Sequence, residues 1–250
     1  MISPEAAFER QRDQIVPEIT ELFDDWPELV EIYASVDLLH NTHSSLVPQI
    51  IEEGLNGDSS SITEEDLVLA RNLLRTRGKP GVSGMFDIYV NGTRNDRERG
   101  VFFYTPGMFG DRYNIGYGVP ERAWILAQEM RYVALNEGFS TNDRNQAQAI
   151  TDRFHEAYLT PDASITVLKA DPFAPEIINN RLSDAVGRLR EAGKDCTIFA
   201  LPSVIQGGFE GLYIPGTVSP EHLTVETTIP LDQDEWRKRL SAPTTSRYFE

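Results

Sequence analysis

VDLLHNTHSSLVPQIIEEGL, residues 36–55, divides into an apolar run, a polar turn, a helix-forming stretch and a glycine. Val36-Asp37-Leu38-Leu39-His40 reads as a short strand. Leu46 to Glu53 reads as a helix, and Gly54 stands at its C-cap position, where a residue free to take positive φ ends the turn. Upstream, Phe8, Ile15, Ile19, Leu22 and Phe23 recur at helical spacing, so residues 4 to 24 form an amphipathic N-terminal helix, with Pro17 a kink or restart and an end near Trp26-Pro27.

Downstream, Ser61-Ile62-Thr63-Glu64 opens a periodic run to Leu74, with Thr63 placed as cap and Asp66 as first-turn acid. The Arg75 to Gly81 stretch closes it. Met85 to Val90 and Val101 to Thr105 read as strands, with the turn-rich Asn91 to Asp96 between them as a hairpin or long loop. Residues 120 to 136 and 143 to 158 read as helices, Ser164 to Lys169 as a strand, and Pro175 to Glu191 as a helix stopped by Gly193. Thr197 to Leu201, Phe209 to Ile214 and Leu223 to Ile229 read as three closing strands. Strands near both ends with helices between them predict an α+β domain, not a regular parallel array. The expected organisation is an N-terminal helical segment (1–35), a main domain (36–230) and a C-terminal tail (231–250) that frays.

Composition narrows the function. The chain of 250 residues is 40% hydrophobic, enough for a real apolar core. No stretch approaches the ~18 consecutive apolar residues of a membrane span, and Met1-Ile2-Ser3-Pro4-Glu5 leads straight into a charged helix instead of a signal peptide. The expected location is the cytoplasm, or export by a route without a recognisable signal. One cysteine, Cys196, excludes an intramolecular disulfide, and four dispersed histidines give no HExxH pattern, so no metal site is expected. The formal charge of -16 disfavours non-specific binding to phosphate backbones. A solvated surface and attraction to a basic partner both remain open as its purpose.

Three segments carry the chemistry. The first is Leu38-Leu39-His40-Asn41-Thr42 with Ile50-Ile51-Glu52-Glu53-Gly54-Leu55; the second is Gly100-Val101-Phe102-Phe103-Tyr104-Thr105. The third is Phe209-Glu210-Gly211-Leu212-Tyr213-Ile214 with Val218-Ser219-Pro220-Glu221-His222-Leu223. In this order they resemble ADP-ribosyltransferases of the His-Tyr-Glu type, the fold shared by diphtheria toxin and poly-ADP-ribose polymerases. There a strand ends in His-x-Thr, a short helix closes with an acid, Gly and Leu, a glycine leads an aromatic strand, and a Glu opens a late strand before a Pro-Glu turn.

The resemblance implies a split β-sheet core with flanking helices, NAD as co-substrate and a mono-ADP-ribosyltransferase activity toward a macromolecular acceptor, as in toxins and effectors. NAD glycohydrolysis and a catalytically inactive NAD-binding module of the same fold are its alternatives. Breaking the nicotinamide–ribose bond passes through an oxocarbenium-like state, which a well-aimed carboxylate stabilises. By resemblance Glu210 is that carboxylate, held to the 2′-hydroxyl of the nicotinamide ribose. His40 would hold the adenosine-side ribose with Thr42 beside it, and the main chain at position 41, usually glycine and here Asn41, would grip the carboxamide. Alignment on Gly100 puts Phe102 at the nicotinamide-stacking position, but Tyr104 shares its strand face and is the aromatic favoured here. Arg112, in a loop that would cover the cofactor, would meet the pyrophosphate.

Arginine-modifying members of the superfamily carry a second glutamate two residues before the catalytic one; here that position is Gly208. A cationic guanidinium needs such a carboxylate to become nucleophilic. Another protein side chain is therefore favoured slightly over a nucleic-acid group as acceptor, and arginine is disfavoured.

Overall fold

The computed structural model describes residues 3–56, 63–75, 100–106, 121–206, 212–234 and 238. Over these the chain is α+β, with ten α-helices and two small antiparallel sheets. Ser3 accepts a hydrogen bond from the Ala6 amide at 3.3 Å and caps α1 (Pro4–Gln11). Pro17 then restarts the chain as the first residue of α2 (Pro17–Asp25), where its missing N–H costs nothing. A third helix, α3 (Glu28–Ala34), follows Trp26-Pro27. Phe8, Phe23 and Tyr33 from these helices pack against Phe173, with ring centroids 5.1 to 6.4 Å apart. The N-terminal segment thus shares the main core with the strands.

The larger sheet has the order β1 (Leu38–His43), β3 (Ser164–Ala170) and β5 (Leu223–Pro230). The smaller pairs β2 (Val101–Phe103) with β4 (Leu212–Ile214). Among the described residues one bridge joins them: Leu39 and Tyr104 exchange both main-chain hydrogen bonds, each 2.8 Å.

A 3-10 turn (Ser44–Leu46) leads into α4 (Val47–Glu53), which ends on Gly54 at φ 89°. A Cβ there would lie 2.7 Å from Thr217 Cγ2 and 2.8 Å from the Val218 carbonyl oxygen, so glycine serves both the backbone angle and the close approach. Leu55 and Val218 exchange two main-chain hydrogen bonds of 2.9 Å across that corner.

Helices α5 (Glu64–Arg75), α6 (Glu121–Leu135) and α7 (Thr141–Tyr158) enclose an apolar cluster of their own, which includes Leu73, Leu126, Met130, Val133 and Ile150. Thr63 and Asp66 cap α5 reciprocally: the Asp66 amide donates to Thr63 Oγ1, and Asp66 Oδ2 accepts from the Thr63 amide.

Two expectations fail here. The helix expected over Pro175 to Glu191 is two, α8 (Pro175–Leu182) and α9 (Val186–Ala192), turned about Ser183 to Ala185. Thr197 to Leu201, expected as a strand, lies inside α10 (Lys194–Gln206). Its β-branched and aromatic residues favour a strand locally, but Thr197 and Leu201 are one helical turn apart and both fully buried, so packing overrides propensity. Thr197 Oγ1 also donates to the Leu189 carbonyl at 2.6 Å. The expected Met85 to Val90 strand lies outside the described residues. Among the described residues no helix is long and apolar enough to cross a membrane.

Candidate functional site

The three segments that carry the resemblance meet through main-chain contacts. Leu39 joins Tyr104, Phe102 pairs with Tyr213, and Leu55 joins Val218, so the His40 strand, the aromatic strand and the closing element share one seam.

At that seam β1 and β2 separate. Continued antiparallel pairing beyond Leu39 and Tyr104 would set Asn41 opposite Phe102, with the Asn41 amide donating to the Phe102 carbonyl. The bridge is isolated, and His40 Nδ1 takes that carbonyl instead, at 2.8 Å. A carbonyl only accepts, so Nδ1 carries the proton. Burial pulls His40 below its ordinary pKa, against the opposing pull of the Phe102 carbonyl, and the imidazole is neutral at pH 7. Nε2 is then a lone-pair acceptor, and it has no hydrogen-bond partner among the described residues. The ring is half-buried and stands edge-on to Phe103 at 5.9 Å.

Asn41 is buried and has an ordinary extended backbone, as no non-glycine residue among those described has positive φ. Leu39 turns its main-chain N–H and C=O toward β2, and by strand alternation Asn41 does the same. The Asn41 side chain accepts from the Tyr104 hydroxyl at 2.7 Å. Thr42 is buried opposite Thr166 of β3.

The two candidate aromatics, Phe102 in β2 and Tyr104 just after it, differ. Phe102 is 57% exposed, with its ring 4.8 Å from that of Tyr213, whereas Tyr104 is half-buried and its hydroxyl is engaged. Gly100 lies beneath the Tyr213 ring: a Cβ would come within 2.3 Å of Tyr213 Cζ and 2.5 Å of the Ile214 carbonyl. Tyr213 was not singled out in the sequence, although a glycine leading an aromatic strand is the signal of a neighbour that needs its space.

His40, Asn41, Phe102 and Tyr104 thus come together, and Thr42 follows on the same strand. Glu210, Gly208 and Arg112 lie outside the described residues. No protein-family model, no curated protein and no solved structure matches this chain.

Proposed function

We propose that this chain is an NAD-dependent mono-ADP-ribosyltransferase of the His-Tyr-Glu type, which cleaves the nicotinamide–ribose bond and passes ADP-ribose to a macromolecular acceptor. The observation that carries the proposal is the split between β1 and β2, with His40 donating to the Phe102 carbonyl that regular pairing would give to Asn41. Such a split takes Asn41 out of regular pairing with β2 and sets it beside His40 and Phe102.

In this scheme His40 Nε2 accepts from a ribose hydroxyl, with Thr42 beside it, and the exposed Phe102 ring supplies the stacking face for nicotinamide. Tyr104, its hydroxyl on Asn41, positions that residue. Glu210 stands two residues before Leu212 in the chain, a span of at most about 7 Å, and Leu212 pairs with Phe103. By the resemblance its carboxylate would be held to the 2′-hydroxyl of the nicotinamide ribose as the C1′–N bond breaks. The bonding electron pair leaves with the pyridinium nitrogen, which becomes neutral, and positive charge gathers on the sugar. The acceptor nucleophile bonds to C1′ and gives up its proton. Arg112 meets the pyrophosphate.

The Tyr104–Asn41 hydrogen bond favours a second reading, a catalytically inactive NAD-binding module, because it sets two side chains where the family leaves room beside a glycine. Incubation with adenylate-labelled NAD and a lysate, followed by protease or nuclease digestion, separates the possibilities. Protease-sensitive label is expected. Free ADP-ribose alone means a glycohydrolase, thermal stabilisation by NAD without turnover means the inactive module, and the absence of both turnover and stabilisation overturns the proposal.

A further inference from the structure

Phe102 stands 57% exposed at the middle of the three-residue strand β2. An exposed ring on a strand exchanges between staggered side-chain positions unless a neighbour holds it. A stacking platform gains from being held, because rotamer freedom lost on binding subtracts from affinity.

Tyr213 supplies such a hold. It is the cross-strand partner of Phe102 in the pairing of β2 with β4, so the two side chains stand on one face of the small sheet. Their ring centroids are 4.8 Å apart and their planes meet at 52°. Tyr213 is itself confined. A Cβ on Gly100 would run into Tyr213 Cζ and Cε2, so the far end of the ring lies on the bare backbone of Gly100, and its hydroxyl is buried. Gly100 and Phe102 are two residues apart on extended chain and share that face. The Tyr213 ring therefore lies diagonally across the strand pair, over the glycine and against one side of Phe102, while more than half of Phe102 remains open to solvent.

We propose that Tyr213 is a positioning residue for ligand stacking: it holds the Phe102 ring so that its open side meets the nicotinamide ring of NAD, and Gly100 leaves the room Tyr213 needs. Tyr213 acts through Phe102 and makes no contact with the ligand. The nicotinamide ring of NAD is a cation, which a fixed π-face attracts. This inference rests on the NAD reading above and adds to it the part of the fold that sets the stacking geometry.

Calorimetric titration of the full chain with NAD and with ADP-ribose, which lacks the nicotinamide ring, tests this. Tyr213→Val and Tyr213→Leu remove the ring, and Tyr213→Phe keeps it. NAD affinity should fall roughly two- to tenfold in the first two variants, the size of one aromatic pair, with ADP-ribose affinity unchanged and Tyr213→Phe close to the unsubstituted protein. In a Phe102→Leu background, Tyr213→Val should lower NAD affinity no further. The inference is overturned, with the NAD reading intact, by any of three results: NAD affinity unchanged in Tyr213→Val and Tyr213→Leu, NAD and ADP-ribose affinity lost in step in both, as for a purely structural ring, or an undiminished loss in the Phe102→Leu background. If the unsubstituted chain binds neither ligand, the NAD reading falls and this inference falls with it.

Discussion

His40 and His43 stand three residues apart on β1, both drawn by burial below the ordinary histidine pKa, yet their nitrogens are used differently. His43 is consumed by the fold. Its Nε2–H donates to the Tyr158 carbonyl at 3.1 Å, and its Nδ1 accepts from the Ser45 amide at 3.3 Å, with the Ser45 hydroxyl at 2.8 Å. His222 is similar, held between Glu176 Oε1 at 2.8 Å and Gln11 Nε2 at 3.1 Å. His40 commits one nitrogen to the Phe102 carbonyl and, among the described residues, keeps the other. Burial alone therefore does not distinguish the two histidines of β1; the use of their second nitrogen among the described residues does.

Truncation separates the pair most sharply. His43→Ala removes a buried ring and leaves the Tyr158 carbonyl without its donor, so we expect a loss of about 2–4 kcal/mol in chemical denaturation. NAD affinity of the folded fraction stays unchanged. His40→Ala should show the reverse emphasis, with NAD affinity weakened roughly tenfold, or about 1.4 kcal/mol, in calorimetric titration and a smaller loss of stability. Equal effects of the two substitutions on NAD binding would erase the distinction.

A finer test concerns Asn41 and Tyr104. If their hydrogen bond positions the carboxamide grip, Tyr104→Phe weakens NAD binding by about 1 kcal/mol, whereas an obstructing bond makes the same change tighten it. Fluorescence titration reads the sign directly.

The smallest effect is on pH. Both histidines have lowered folded pKa values, so below the ordinary value of 6.5 the unfolded chain binds more protons than the native one. Their contribution is fully present above about pH 6.5 and is lost as pH falls toward the folded values. Denaturation midpoints should drop between pH 7 and pH 5, and His43→Asn should flatten that slope.

Local patterns made much of this legible. The strand, helix and Gly54 stop are written in residues 36–55, although β1 begins at Leu38 and runs on to His43 because β3 pairs with that whole length. Caps at Thr63 and Gly193 were readable for the same reason, since each depends on one residue's chemistry. Thr197 to Leu201 misled because burial of Thr197 and Leu201 on one helix face is a tertiary fact. The split beside His40 and the Tyr213 ring over Gly100 depend on residues distant in sequence, which no local pattern encodes.

Nicotinamide release from NAD by the purified protein, compared with Glu210→Gln, bears most directly on the central claim. Release by the unsubstituted chain should fall by roughly 30- to 1,000-fold in the variant, equivalent to about 2–4 kcal/mol of transition-state stabilisation, while NAD binding is nearly intact. Absence of both release and NAD binding in the unsubstituted protein, or full turnover in Glu210→Gln, would contradict it.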